Sequence, residues 1–179
     1  MLINLQKRYV VRRAGLEPFL RNLKRRLRLA NRELNICFVD DGEIRRLNSL
    51  YRGKDKATDV LSFAWNDGGG RPGREASASL SRRAWGEKAN FLGEVVISVE
   101  TARHNAAAEG HSTLNEIRWL ILHGVLHLLG YDHERDTGEM TALELVLREQ
   151  LSVANGKVGK GKGKSQKAKL QRQNRRREF

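Results

Sequence analysis

Residues Thr113 to His133 read T-L-N-E-I-R-W-L-I-L-H-G-V-L-H-L-L-G-Y-D-H. Ile117, Leu120, Ile121, Leu122, Val125, Leu126, Leu128 and Leu129 leave almost no polar face, which predicts a helix buried on all sides. Thr113 and Glu116 form a capping-box pattern, so the helix is expected to start at Thr113 and run to Leu129. His123 and His127 are four residues apart, which puts both imidazoles on one face, one turn apart. Gly130 can end the helix in a left-handed turn. The chain is then expected to reverse, so that His133 can swing back toward the first two rings. Three of the chain's five histidines lie in this stretch. Three neutral imidazoles make a zinc site with a fourth position left open, so the expected centre is catalytic in type. Asp132 is adjacent, but His133 competes with it for the same approach.

Outward from this helix, elements alternate irregularly. Leu2 to Val11 reads as a strand. Leu16, Phe19, Leu20, Leu23 and Leu27 predict a helix over Leu16 to Ala30, with Pro18 in its first turn. The opposite face carries Arg21, Lys24, Arg25 and Arg28, a basic stripe that meets phosphates or water. Glu33 to Val39 is a second strand, and Asp40 or Asp41 caps a helix carrying Ile44, Leu47, Leu50 and Tyr51. Val60 to Phe63 and Leu92 to Val99 are further strands. The latter leads into a helix with Ala102, Ala106 and Ala107 that ends near Gly110. Asp136 with Glu139 caps a last helix, Thr137 to Ser152, with Leu143, Leu145, Val146 and Leu147 facing inward. The class is α+β: a small mixed sheet of about four strands packed with about five helices, with the metal site at the end of the buried central helix.

The chain has 179 residues, room for one domain and an appendage. The domain is expected over 1–154, with a Gly- and Pro-containing surface loop or insertion at 66–90 and a disordered basic tail at 155–179. The tail holds ten Lys and Arg against one Glu, a net +9 of the chain's +13. A polyanion, nucleic acid above all, is the partner this charge suggests, although such runs also serve only to solubilise. Cys37 is the single cysteine and sits in an apolar run, so it forms no internal disulfide and suits a reducing cytoplasm. No segment reads as a signal peptide, and none is apolar enough to span a membrane. His104 and His111 have no partners in spacing and are expected at the surface. Trp65, Trp85 and Trp119 could stack bases, with Trp119 expected in the core.

The histidine spacing matches the metzincin pattern H-E-x-x-H-x-x-G-x-x-H, whose Glu is the general base of peptide hydrolysis. Here that position is Gly124, which cannot take a proton from water. The metallopeptidase reading keeps its metal and loses its base. Ionisation of a metal-bound water still provides a nucleophile near neutral pH. A third reading is a non-catalytic RNA-binding factor whose zinc is structural, which the family resemblance below would make a ribosome-assembly factor.

At the level of whole motifs the chain resembles the bacterial YbeY family of rRNA-maturation endoribonucleases. His123 to His133, H-G-V-L-H-L-L-G-Y-D-H, follows that family's H-G-x-L-H-L-x-G-Y-D-H. Tyr51 to Phe63, Y-R-G-K-D-K-A-T-D-V-L-S-F, follows Y-R-x-K-D-x-P-T-D-V-L-S-F with Ala57 in place of Pro, and Ala64 replaces another frequent Pro. Leu92 to Ser98 is similar to the family strand L-G-D-I-x-I-S. The similarity spans about Leu34 to Leu151; the loop at 66–90 is longer than usual and the tail is an addition. The resemblance implies one Zn²⁺ per chain held by His123, His127 and His133, with Arg52 and His127 catalytic. Lys54 and Lys56 could contact RNA or merely be solvated. Asp59 and Asp132 could orient ligand imidazoles or only cap local backbone. It further implies single-strand-specific cleavage of RNA, maturation of the small-subunit rRNA 3′ end and ribosome quality control in the cytoplasm. The implied partners are rRNA in the small ribosomal subunit, ribosomal proteins and the GTPase Era, with no membrane.

Overall fold

The computed structural model describes residues 1–65, 90–132 and 136–153. Apart from Asn90, the expected insertion at 66–90 and the tail at 155–179 lie outside the described residues, as does Trp85. The described elements run β1 (Leu2–Asn4), α1 (Arg13–Arg26), β2 (Glu33–Val39), α2 (Asp41–Arg52), β3 (Val60–Ala64), β4 (Phe91–Ser98), α3 (Val99–Glu109), α4 (Thr113–Leu128) and α5 (Glu139–Val153). The strands form one mixed sheet in the order β1-β2-β4-β3. β1, β2 and β4 are parallel, and β3 closes the other edge antiparallel to β4. The architecture is α+β, as the sequence predicts. No described helix is long and apolar enough to cross a membrane.

Both faces of this sheet are covered, which explains the unbroken apolar runs of β2 and β4. Leu34, Ile36, Phe38, Val95 and Ile97 point to one face and join buried residues of α1, α3, α4 and α5. Cys37, Val39, Leu61 and Val96 point to the other and meet Ile44 and Leu47 of α2. Gly93 sits at a register shift where β2 meets β4. Its φ is +142°, and a Cβ there would lie 2.3 Å from the Phe63 carbonyl oxygen, so glycine is required for β3 to pair this closely.

Several element boundaries and facings depart from expectation. β1 stops at Asn4 instead of Val11. The buried Gln6 amide bonds Asn4 Oδ1 and the Tyr9 carbonyl, and its oxygen accepts from the Tyr9 N–H, folding the chain into a turn. α1 begins at Arg13, so Pro18 lies inside the helix and not in its first turn. The helix cap falls on Ser112, whose hydroxyl accepts from the Asn115 N–H, one residue before the expected Thr113. Glu116 is buried and faces His111 Nε2 at 3.2 Å, and the His111 ring packs edge-on to Trp119. His111 is therefore an interior contact residue, whereas His104 is exposed as expected. On α5 the buried line is Met140, Glu144, Leu147 and Leu151; Val146, expected inward, is half exposed.

Cys37 is buried beside Glu94, and desolvation together with that carboxylate pushes its thiol up to about 12 from an ordinary 9.0. Between those values the folded chain holds a proton that the unfolded chain releases, so stability falls as pH rises through that window. At pH 8 the folded thiolate fraction is about a thousandfold below that of a free cysteine. Iodoacetamide is expected to modify Cys37 rapidly in urea and almost not at all in the native protein; equal rates in both states would contradict this burial.

Candidate metal centre

α4 reaches the site because its last two turns lie directly on β3 and β4. A Cβ at Gly124 would come within 2.5 and 2.9 Å of the two Val95 methyls and 3.0 Å of Ser62 Oγ. Backbone meets sheet there with no side chain between. That contact fixes the rotation of the helix, and the adjacent face carries His123 and His127. Gly130 then ends the helix at φ +94°. The Tyr131 N–H returns to the Leu126 carbonyl at 3.1 Å and the Gly130 N–H to the His127 carbonyl at 3.0 Å, a Schellman pair.

The two rings converge. His123 is buried, His127 is half-buried, and their Nε2 atoms stand 3.1 Å apart. Each Nδ1 faces an acceptor: His123 Nδ1 lies 3.2 Å from Glu144 Oε2, and His127 Nδ1 lies 3.0 Å from the Tyr131 carbonyl oxygen. A carbonyl and a carboxylate accept only, so both Nδ1 atoms carry the hydrogen and both Nε2 atoms present lone pairs. Two lone pairs face each other at this distance only across a positive centre, a proton or a metal ion. Two imidazole nitrogens on a tetrahedral zinc stand about 3.3 Å apart, given Zn–N bonds of ~2.0–2.1 Å. The pair therefore fits a zinc ion in donor type, tautomer and spacing. Among the described residues no group of three or more His, Cys, Asp or Glu side chains is placed to hold a metal ion, and His133 lies outside them.

Arg52 ends α2 and is exposed, followed by Gly53 in the left-handed conformation at φ +67°. Lys54 and Lys56 are exposed on the same loop. Asn48 pins that loop from beneath by donating to the Lys56 carbonyl at 2.8 Å. Asp59 is buried against Asn105 Nδ2 and Thr58 Oγ1, each at 3.4 Å. The Asp132 carbonyl accepts from the Asp136 N–H at 2.9 Å. The carboxylate seen on His123 comes from Glu144, which sequence reasoning missed. One signal marks it: Glu144 interrupts the apolar line of α5, where a solvent-facing acid has no place.

Gly124 also bears on the peptidase reading. The position that holds the base in the metzincin pattern faces Val95 and Ser62 in the packed interior, with no room for a carboxylate. Trp65 packs edge-on to Phe91 at 5.8 Å, and Trp119 packs against His111 and Arg148.

The family model described as Endoribonuclease YbeY matches residues 6–152, which carries the similarity beyond Leu34 to Leu151 to include α1. Among curated relatives, the Endoribonuclease YbeY of Nautilia profundicola is 44% identical over 125 residues, covering 70% of this chain and 76% of that protein. Those of Desulforamulus reducens and Aquifex aeolicus are 46% and 43% identical, covering 68% and 75% of this chain and 73% and 78% of theirs. The solution structure of TM1509 from Thermotoga maritima superposes with a TM-score of 0.53 at 23% identity, covering 90% of this chain and 99% of that one, a likeness of fold.

Gly124→Ala is expected to destabilise the protein by ~1–3 kcal/mol through overpacking against Val95. Val95→Ala makes room, so the double variant should be more stable than the sum of the single losses by at least ~0.5 kcal/mol in urea unfolding. Strict additivity would show that the two residues do not meet.

Proposed function

We propose, on the premise that this chain belongs to the YbeY family of endoribonucleases, that it is a metal-dependent enzyme cutting single-stranded RNA. Its place is the late maturation of small-subunit rRNA at the 3′ end and ribosome quality control in the cytoplasm. The observation that carries the metal part is the facing pair of Nε2 lone pairs on His123 and His127. His133 is proposed as the third ligand. One zinc ion per chain, when bound, supplies a Lewis acid that polarises water or a phosphoryl oxygen at neutral pH.

The chain's own residues account for the rest. His123 and His127 each hold Nδ1 against an acceptor and aim Nε2 at the same point, so neither ring has to turn before a cation enters. Arg52, at the C-terminal end of α2, offers a planar fork to two phosphate oxygens and stabilises charge as the phosphorane forms. Lys54 and Lys56 add positive charge along the same loop and draw in the RNA backbone. The basic tail at 155–179 extends that attraction to rRNA in the small subunit. Ribosomal proteins and the GTPase Era complete the proposed partners.

Wild type and His127→Ala should be compared on a single-stranded rRNA precursor fragment, with circular dichroism and zinc content measured in parallel. The variant is expected to stay folded, lose zinc and lose at least ~100-fold in cleavage. Equal cleavage by both would point to a contaminating nuclease, and unfolding of the variant would favour a structural zinc. The product ends separate two routes: a 2′,3′-cyclic phosphate indicates attack by the RNA 2′-OH and excludes direct attack by water. Removing 155–179 is expected to weaken RNA binding and to flatten its salt dependence. The log–log slope should fall by ~0.7 for each phosphate that the tail neutralises. An unchanged slope would make the tail a bystander.

A further inference from the structure

Glu144 is fully buried, on a helix whose other inward residues at this level are Met140 and Leu147. A carboxylate in such a place costs several kcal/mol in lost hydration unless both its oxygens are bonded. Both are. Oε2 faces His123 Nδ1 at 3.2 Å, and Oε1 accepts from Arg148 Nη2 at 2.5 Å. Arg148 is itself largely covered, with its guanidinium carbon 4.6 Å from the centre of the Trp119 ring. Trp119 lies on α4 one turn before His123, and its ring meets His111 edge-on at 4.4 Å. A linear support therefore runs from α4 through α5 and back to α4: Trp119, Arg148, Glu144, His123.

We infer that Glu144 is a positioning residue for the metal-binding ring of His123, and that Arg148, seated on Trp119, holds Glu144 in place. This rests on the metal reading above and adds the element that sets the strength of the site. A carboxylate has two acceptor oxygens, and here one takes His123 and the other Arg148. The Nδ1–H bond fixes the tautomer that turns the Nε2 lone pair toward His127, and the negative charge makes that nitrogen a stronger donor to a cation. A glutamine of the same shape has one acceptor oxygen for these two donors, so either His123 or Arg148 loses its partner. The seat of Arg148 on Trp119 costs little to form, because a guanidinium is weakly hydrated and is attracted to an aromatic face.

The test is the zinc affinity of the full-length apo-protein, measured by competition with a chromophoric chelator, with the Co²⁺ absorption spectrum as a second readout. Glu144→Gln is expected to weaken zinc binding by ~10–100-fold and to shift the Co²⁺ bands. Arg148→Met is expected to weaken binding at least ~3-fold in the wild-type background and to add almost nothing in the Glu144→Gln background, because it acts through Glu144. If wild type binds one zinc and Glu144→Gln binds it within twofold, the inference is overturned while the metal reading stands. If wild type binds no zinc, both fall. Should Glu144→Gln fail to fold, Arg148→Met decides alone, and an unchanged affinity overturns the relay.

Discussion

The contact of Gly124 with Val95 is the constraint on which the rest depends. α4 is apolar around nearly its whole circumference, so hydrophobicity alone does not choose which side faces the sheet. The absent side chain does. It lets the helix backbone drop onto β4, and at that depth any other residue meets Val95 methyls below van der Waals distance. Once the rotation is set, His123 turns toward Glu144 of α5, and His127 meets His123 and the Tyr131 carbonyl. A helix rotated by a single residue position would turn His123 toward the sheet and away from Glu144.

Placing imidazoles inside an apolar helix creates a polar problem that the fold solves twice, by different means. His127 is near the end of α4, and the Schellman turn brings the Tyr131 carbonyl back within reach of its Nδ1. His123 is one turn deeper, where the backbone carbonyls are committed to the helix. Its acceptor has to be a side chain from another element, and α5 supplies Glu144. That carboxylate in turn needs a cation, which Arg148 brings at i+4 on the same helix. The buried charges are thus a consequence of the depth of one histidine, and they explain why α5 departs from a plain amphipathic pattern.

Most of the framework was legible in the sequence because it rests on local rules. β2, the Asp40 cap of α2, the Gly110 end of α3 and the Gly130 turn all follow from periodicity and from residues with special backbone preferences. The misses share a cause: each turns on an interaction that periodicity does not encode. Gln6 ends β1 early by folding onto Tyr9, and Ser112 takes the cap while Glu116 is drawn inward by His111. At the site, the facing histidines are visible from their spacing. The carboxylate behind His123 is not, because Glu144 lies 21 residues away and only the docking of α5 on α4 makes them neighbours.

The location of the centre also has a physical logic. In sheets with parallel strands, ligands commonly lie at the carboxyl ends of the strands where successive helices part to opposite faces. Here that crevice lies between β2 and β4, since α2 covers one face and α3 packs on the other. The chain fills it with its own carboxylates. Asp41 accepts from the Ser98 and Thr101 hydroxyls, and Glu100 accepts from the Asp41 N–H while pairing with Arg8. The two helix N-termini that would attract a phosphate already face negative charge. The histidines sit instead at the C-terminal end of α4, where the helix dipole is negative and favours a cation. Anions are satisfied internally at the strand ends, and the proposed cation gathers at the end of the buried helix; the division follows from which ends of which helices the sheet brings inward.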